Sequence, residues 1–357
     1  MNDLSLNELN ARQGQALDPS KRESMEYDVL IVGAGPAGLS AAIHLKQTAI
    51  KDDIDLSICV LEKGSEIGAH ILSGAVIETS SLDKLIPNWR ERESPIKTKV
   101  KKDKLSFLGP NWSIRIPNFI LPPMMKNHGN YIVSLGEVCK WLGEVAEGLG
   151  IEIYPGFSAA EVLFDKNNRV KGVATGDMGV SRDGTAKDSW EPGMELHAKY
   201  TLFSEGARGS LSKFLIDNYQ LSNGKDFQKY AIGIKELWEI SSENHNEGLV
   251  EHSMGWPLSD GTSGGSFLYH FGKNLVSIGY VVHLNYSNPF VSPFDEFQQF
   301  KIHPSVRKIL KGGKRIGYGA RAITTGGFQS LPKLNFPGGA LLGCSAGFLN
   351  YPKIKGT

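Results

Sequence analysis

A glycine-rich turn near the start of the chain has the residue types and spacing of a phosphate-binding loop. It follows an apolar run at residues 29–32, precedes a helix-like segment, and contains Gly33, Gly35 and Gly38. A G-x-G-x-x-G order between a strand and a helix is the fingerprint of dinucleotide-binding domains. Gly33 would permit the tight turn, Gly35 the approach of a pyrophosphate, and Gly38 the close packing of helix on strand. The alternative is a glycine-rich turn without a ligand.

An acidic residue ends the next strand-like run. Residues 56–61 are mostly apolar and lead directly into Glu62. A carboxylate at this place can bind the hydroxyls of an adenosine ribose, which predicts a nucleotide whose ribose is not phosphorylated. The predicted cofactor contacts in this region are Gly33, Gly35, Pro36, Ala37, Gly38, Glu62 and Lys63.

Two later glycine turns indicate which dinucleotide is bound. Each directly follows an apolar strand-like run, and both lie far from the first turn in sequence. A nicotinamide domain usually keeps its fingerprint in one continuous unit, whereas distant turns suit FAD bound across an interrupted domain. The further residues predicted to lie along FAD are Glu205, Gly206, Gly343, Cys344 and Gly347.

The cysteine pattern excludes a local metal-binding motif. The three cysteines, Cys59, Cys139 and Cys344, are far apart and form no C-x-x-C pair. Free thiols and a reducing compartment are therefore expected. Cys344 stands where many FAD enzymes place an aspartate that binds a ribityl hydroxyl, so backbone groups would have to supply that contact. A small buried thiol and a redox role are the two interpretations of Cys344.

Bulk properties restrict the remaining function classes. The 357 residues suffice for about two domains, and the formal net charge of +1 provides no general attraction to nucleic acid. No run approaches the roughly 18 apolar residues of a membrane-spanning helix. The polar start of the chain lacks the apolar core of a signal peptide. These features favour a cytosolic chain whose membrane contact, if any, is peripheral.

Five longer runs carry a resemblance to a known family. They are GAHILSGAV (68–76), NHGNYIVSLGE (127–137), TSGGSFLYH (262–270), GGFQSLPKLNFPGG (326–339) and SAGFLNYPKIKGT (345–357). In this order, the chain from residue 27 onward resembles the electron-transfer flavoprotein–ubiquinone oxidoreductases. The resemblance implies a monotopic membrane flavoprotein with FAD and a [4Fe–4S] cluster. It also implies electron transfer from reduced electron-transfer flavoprotein to ubiquinone.

The resemblance assigns further residues by position. Ser73 and Gly74 would lie near the flavin, and the backbone of Gly264 and Gly265 would meet the quinone head group. Without the resemblance, Gly264 and Gly265 are predicted to form a turn before a strand. No catalytic side chain is implied, because the flavin carries the chemistry. Three ungrouped cysteines cannot ligate a four-cysteine cluster, so we expect the chain to be a fragment of a longer protein.

The fold class predicted is α/β, with a Rossmann-type FAD-binding domain of the glutathione-reductase kind and an inserted, mainly antiparallel quinone-binding domain. The FAD-binding domain is expected to comprise three separate segments, at residues 26–105, 134–225 and 314–357. A polar extension (1–25) precedes it. An apolar membrane or quinone segment (106–133) and the quinone-binding domain (226–313) interrupt it.

One apolar segment beside a basic run is a candidate for peripheral membrane contact. The apolar residues are Phe107, Leu108, Trp112, Ile114, Ile116, Phe119, Ile120, Leu121, Met124 and Met125. The lysines upstream are Lys97, Lys99, Lys101, Lys102 and Lys104. Basic residues beside an interfacial apolar patch attract anionic leaflets. The alternatives are a solvated basic loop and an apolar segment that lines the core.

The sequence leaves other functions open. The closest is an FAD-dependent prenyl-lipid reductase or hydroxylase that uses NADPH or ferredoxin. The others are a non-catalytic FAD-binding fragment and an inactive truncated product. For the favoured function, the location would be the cytoplasmic face of a bacterial inner membrane, or the inner mitochondrial membrane in a eukaryote.

Overall fold

A computed structural model describes residues 16–72, 74–259 and 261–353. The chain divides into two compact units. The first comprises the described parts of Met1–His70, Cys139–Asp226 and Leu331–Phe348, and the second those of Ile71–Val138, Phe227–Ser330 and Leu349–Thr357. The domain boundaries predicted from the sequence stay a prediction. Of the predicted FAD-binding segments, residues 71–105, 134–138, 314–330 and 349–353 belong instead to the second unit.

Six α-helices lie in the described ranges. They are α1 (Pro36–Lys51), α2 (Ser80–Leu85), α3 (Leu135–Glu147), α4 (Ser210–Asn218), α5 (Pro293–Ile302) and α6 (Pro304–Leu310). Among the residues that the structure describes, none of the helices combines the length and the apolar character needed to cross a bilayer.

Twenty strands accompany these helices in the described ranges. The first ten are β1 (Ser24–Val32), β2 (Ile58–Glu62), β3 (Ala75–Ile77), β4 (Thr98–Lys99), β5 (Lys102–Leu108), β6 (Ser113–Ile116), β7 (Tyr131–Val133), β8 (Glu152–Pro155), β9 (Ala159–Phe164) and β10 (Val170–Thr175). The next ten are β11 (Met178–Val180), β12 (Ala186–Glu191), β13 (Glu195–Phe203), β14 (Tyr230–Glu239), β15 (Leu249–Gly255), β16 (Gly264–Phe271), β17 (Leu275–His283), β18 (Lys314–Thr324), β19 (Asn335–Phe336) and β20 (Gly339–Leu341).

The first unit is built on a mainly parallel sheet. Its strand order is β19-β20-β13-β1-β2-β8, and β9 and β10 extend it from β13. Strand β1 runs parallel to both β2 and β13, and β20 runs parallel to β13. The carboxyl ends of parallel strands meet at one edge of a sheet. The turns after β1, β2, β13 and β20 are therefore brought to the same edge.

The apolar runs of the sequence explain why these strands are central. Leu30 and Ile31 in β1 and Cys59 and Val60 in β2 are fully buried. Continuous apolar runs are typical of parallel strands that are covered on both faces. On α1, Leu39, Ala42 and Ile43 are also fully buried, as helical spacing of apolar residues requires.

The second unit is built on a seven-stranded sheet of order β18-β14-β17-β16-β15-β5-β6. All neighbouring pairs are antiparallel except β15 with β5. Helix α5 packs on this sheet, where Phe297 and Phe300 join a core with Ile278 and Tyr280. A small three-stranded sheet, β3-β7-β4, belongs to the same unit. The predicted α/β class, with a second, mainly antiparallel region, is confirmed.

Candidate functional site

The first glycine turn is shaped by contacts between backbones. Gly33 has φ +105°, and its N–H donates to the carbonyl of Leu61 at 2.7 Å. A Cβ on Gly33 would lie 2.7 Å from the carbonyl oxygen of Ser204. A Cβ on Gly38 would lie 2.0 Å from the carbonyl oxygen of Gly33. Both positions therefore require glycine for the fold itself.

Gly35 differs from the other two glycines of the turn. A Cβ on Gly35 would meet nothing within 4 Å. It is the N-cap of α1 without any side-chain cap, and Pro36 occupies the first helical position. The first backbone N–H groups of a helix lack partners within the helix and carry its positive dipole end. The helix begins at Pro36 and Ala37 with open space in front of it. This is the geometry of an anion-binding site at a helix start.

The Glu62 carboxylate is held at the end of β2 by two backbone groups. Its Oε2 accepts a hydrogen bond from the Ala34 N–H at 3.0 Å, and its Oε1 accepts one from the Gly64 N–H at 2.7 Å. An ionised carboxylate has about four acceptor sites, so further donors can be bound. The neighbouring Lys63 is exposed.

A residue that the sequence analysis missed connects β13 to the glycine turn. The Ser204 Oγ lies 2.9 Å from the carbonyl oxygen of Val32 and 2.8 Å from that of Gly33. The Ser204 N–H also donates to the carbonyl of Val32 at 2.8 Å. The sequence feature that could have identified Ser204 is its position directly before the turn at Glu205 and Gly206. A small hydroxyl residue can bridge two such turns where a larger side chain would not fit.

Glu205 has a structural role that the sequence analysis did not foresee. Its Oε2 accepts hydrogen bonds from the N–H and the Oγ of Ser212, both at 2.6 Å. Its Oε1 accepts one from the Leu211 N–H at 3.3 Å. The carboxylate thus caps the start of α4, where unpaired N–H groups favour an anion. Its predicted place along FAD remains a prediction.

The late turn closes on the two earlier ones. Gly343 has φ +56°, and a Cβ placed on it would lie 2.6 Å from the Cβ of Ala37. The Ser345 Oγ donates to the carbonyl of Gly206 at 3.1 Å. Gly347, with φ +79°, ends the short helical turn Gly343–Ala346 that contains the partly exposed Cys344. The three turns predicted to bind one ligand therefore lie together in the first unit.

Of the two residues predicted near the flavin by resemblance, Gly74 falls in the second unit. Ser73 lies outside the described residues. Gly74 is buried with φ +91°, and a Cβ there would lie 2.0 Å from the Ser277 Oγ. The Lys235 Nζ donates to the carbonyl of Gly74 at 2.8 Å. Burial lowers the pKa of Lys235 to about 8, and Arg321 acts in the same direction.

The glycine pair predicted to meet the quinone begins β16 and does not form a turn before it. Gly264 pairs with Val282, and Gly265 with Val281. A Cβ on Gly264 would lie 2.2 Å from the Val281 carbonyl oxygen, and one on Gly265 would lie 2.8 Å from that of Ser253. Close packing of neighbouring strands therefore accounts for both glycines. Their contact with a quinone remains a prediction.

Tyr269 and His270 lie further along β16 and are both buried. The Tyr269 hydroxyl lies 2.9 Å from Nε2 of His252. Nδ1 of His270 accepts from the Asn246 N–H at 3.2 Å, and its Nε2 has no partner among the described residues. Burial raises the pKa of Tyr269, and burial lowers that of His270 to about 4. These two side chains are therefore uncharged at neutral pH.

Comparison with known proteins adds two family matches. Residues 31–93 match an NAD(P)-binding Rossmann-like domain. Residues 230–323 match the ubiquinone-binding domain of ETF-QO. The first match begins in β1 and includes the glycine turn, and the second spans β14 to β18, with Gly264 and Gly265 inside it.

Solved structures resemble the chain in fold. A geranylgeranyl bacteriochlorophyll reductase-like protein from Thermoplasma acidophilum has a TM-score of 0.67 at 18% identity, over 94% of this chain and 74% of that one. A variant of the halogenase PltM in complex with FAD has a TM-score of 0.60 at 14% identity, over 92% of this chain and 66% of that one. At such identities these structures inform the fold alone.

Three curated relatives are much more similar in sequence. Electron transfer flavoprotein-ubiquinone oxidoreductase of Pseudomonas aeruginosa is 56% identical over 94% of this chain and 62% of its own length. The mitochondrial proteins of that name from Dictyostelium discoideum and Homo sapiens are 54% and 53% identical, over 96% and 94% of this chain. This chain spans 56% and 55% of those two proteins. By this identity over nearly its whole length, the chain belongs to the electron transfer flavoprotein-ubiquinone oxidoreductase family.

Proposed function

We propose that the chain binds FAD in its first unit and serves in electron transfer from reduced electron-transfer flavoprotein to ubiquinone. The observation that carries the proposal is the meeting of three distant turns beside the start of α1, where the position of a Cβ on Gly35 is open. The identity to relatives named for this activity supports the same assignment. Because the chain spans only part of those relatives, the activity of the whole protein is an inference for this sequence.

The residues of the first unit fit FAD. The space in front of α1 at Gly35 suits the pyrophosphate, with Pro36 and Ala37 starting the helix whose dipole favours the charge. Glu62 retains acceptor capacity for ribose hydroxyls. Gly206 and the turn Gly343–Ala346 would bind the remainder of the cofactor. Bound FAD supplies the ability to accept electrons singly and to deliver two.

The second unit would bind the quinone. Each ubiquinone molecule takes up two electrons and two protons to form ubiquinol. Within this unit, Gly264 and Gly265 at the start of β16 are the residues proposed to meet the quinone head group. The buried His270 is neutral at physiological pH because of its lowered pKa.

The [4Fe–4S] cluster implied by the resemblance does not fit the residues of this sequence. Such clusters are usually held by four cysteine thiolates. The sequence contains three cysteines, and Cys59, Cys139 and Cys344 lie in β2, α3 and the turn Gly343–Ala346. The first two are buried, and burial raises the pKa of Cys59 to about 12. No step of the proposed function is assigned to a cluster in this chain.

The surface of the apolar segment supports peripheral contact with a membrane. Its exposed side chains are Phe107, Trp112, Ile114, Phe119, Ile120 and Met124. They are not core lining, which was one alternative for this segment. An exposed apolar patch beside cations fits the edge of a bilayer, where a long-tailed quinone is dissolved. We place the protein at the cytoplasmic face of a bacterial inner membrane or, in a eukaryote, at the inner mitochondrial membrane.

The test of the proposed function is reduction and reoxidation of the flavin. The purified protein should contain about one FAD per chain, and reduced electron-transfer flavoprotein should bleach its visible absorbance. Adding a short-chain ubiquinone should restore that absorbance. Rapid bleaching by NADPH or reduced ferredoxin, with no response to electron-transfer flavoprotein, would instead indicate a prenyl-lipid reductase or hydroxylase. A flavin that no quinone reoxidises would leave only an FAD-binding role.

A further inference from the structure

A cavity of about 580 Å³ lies in the second unit, beside the β5–β6 hairpin. It is lined by Val100, Lys101, Lys102, Asp103, Lys104, Arg115, Asn118, Phe119, Lys126 and His128. Five of these ten residues are lysine or arginine, and one is an acid. The cavity is separate from β16, which carries the glycine pair predicted to meet the quinone.

Two of the lining cations are neutralised by acids of the same unit. The Lys101 Nζ lies 3.0 Å from a carboxylate oxygen of Glu247. Lys104 forms an ion pair with Glu251, which lies opposite it on β15. Neither lysine is therefore fully available to an external anion.

Two other cations remain available. Strand register places Arg115 opposite Ser106, and Lys102, Lys104 and Ser106 alternate along β5, so these side chains share one face of the hairpin. The side chains of Lys102 and Arg115 have no hydrogen-bond or ion-pair partner among the described residues. Both side chains line the cavity, which therefore presents a point charge and a planar fork of donors.

The single acid of the cavity lining has a structural function. The Asp103 carboxylate accepts hydrogen bonds from the N–H of Asn127 at 2.8 Å and from its Nδ2 at 3.0 Å. The Asp103 carbonyl accepts another from Asn118 Nδ2 at 2.8 Å. These bonds attach the segment 118–127 to β5. Asp103 thus builds the wall of the cavity, while its charge is satisfied by amide donors.

The apolar surroundings indicate what kind of anion is bound. Phe119 lines the cavity and is 83% exposed, and Ile120 beside it is also exposed. The opposite face of the hairpin carries Phe107 and Ile114 as an exposed cross-strand pair. A ligand that contacts both the cations of the cavity and the adjoining Phe119 and Ile120 has an anionic group joined to long apolar chains.

We propose that this cavity binds the phosphate group of an anionic phospholipid, with Lys102 and Arg115 as the phosphate-binding residues. Arginine and lysine are the side chains suited to phosphate, arginine as a two-pronged donor and lysine as a point charge. Phe119 and Ile120 would contact the acyl chains of the same lipid. The inference rests on the proposed membrane association, and it replaces a diffuse attraction to the leaflet with a defined site.

The experiment compares two double variants of the purified protein, each of which removes two positive charges. The cavity variant is Lys102→Gln with Arg115→Gln, and the matched control is Lys97→Gln with Lys99→Gln, which are exposed and outside the cavity. Binding is measured by sedimentation with vesicles of phosphatidylcholine alone and with vesicles containing one-third phosphatidylglycerol. Flavin content and thermal unfolding verify that each variant is folded.

The cavity variant should bind the phosphatidylglycerol vesicles about tenfold more weakly, and the control less than about twofold more weakly. Binding to phosphatidylcholine vesicles, which depends on the apolar side chains, should be unchanged in both. Equal losses in the two variants would overturn the defined site and leave a diffuse attraction. If inorganic phosphate binds at Lys102 and Arg115 but the cavity variant binds vesicles as well as the unmodified protein does, the site takes free phosphate. That result would overturn the lipid as the ligand. Absence of binding to either vesicle, with quinone reduction intact, would instead reject membrane association.

Discussion

The glycines predicted to contact ligands in the two units differ in what surrounds them. In the first unit, Gly35 has nothing near the position of a Cβ, although Gly33 and Gly38 are closely packed. In the second unit, Gly264 and Gly265 both lie against carbonyl oxygens of neighbouring strands. An open glycine leaves room for a ligand, whereas a packed glycine is required by the fold. The spacing of the glycines in the sequence does not by itself distinguish an open glycine from a packed one.

Two substitutions in the first turn should show the greatest contrast between a packed and an open glycine. Gly38→Ala places a Cβ against the Gly33 carbonyl and should destabilise the protein by about 3 kcal/mol or more, with loss of FAD. Gly35→Ala should leave the unfolding temperature nearly unchanged and weaken FAD binding about tenfold, because only the approach of the pyrophosphate is blocked. Thermal unfolding and flavin titration measure the two quantities. Equal destabilisation by both changes would contradict the distinction.

Acid should weaken the second unit through His270. Its pKa of about 4 in the folded protein is below the usual 6.5, and the side chain is 1% exposed. The unfolded state therefore binds more protons between these values, so the stabilisation is complete above pH 6.5 and is lost as the pH falls toward 4. The loss should reach about 3 kcal/mol.

Chemical unfolding at a series of pH values measures this dependence. The variant His270→Gln should lose less stability than the unmodified protein as the pH falls from 6.5 to 4. Substituting the exposed His44 in the same way is the control. An identical pH dependence in all three proteins would show that His270 is not the group responsible.

Substitution of the packed glycines of β16 should destabilise the fold whether or not these residues contact a quinone. Gly264→Ala should cost about 2 kcal/mol, because its Cβ meets the Val281 carbonyl. Gly233→Ala on β14 is the control, since the nearest atoms to its Cβ are 3.7 Å away. Quinone reduction measured on folded Gly264→Ala then reports the contact itself. Full activity in that variant would remove Gly264 from the quinone site.

A more modest change is expected at the acid between β13 and α4. Glu205→Ala removes the cap of α4 and should lower the free energy of unfolding by about 1 kcal/mol. Glu205→Gln retains acceptor and donor groups and should lose less. A strong loss of FAD affinity with unchanged stability would instead favour the predicted contact of Glu205 with the cofactor.

Features that depend on residues adjacent in the sequence could be predicted from the sequence alone. The order of strand, glycine turn, helix and second strand with Glu62 lies in consecutive residues, and apolar runs mark the buried parallel strands. The two late turns were identifiable because each follows such a run. Parallel strands must bring their carboxyl ends to one edge, so the meeting of these turns followed from the pattern.

Contacts that join distant segments became visible only in the folded molecule. The link from Ser204 to Gly33 and the capping by Glu205 depend on hydrogen bonds between side chains and backbone that no local pattern encodes. The available cations at Lys102 and Arg115 likewise depend on which lysines find an acid on β15. Cross-strand register sets such partnerships, and it is specified by the packing of whole sheets, because a shift of one residue would turn every side chain to the opposite face.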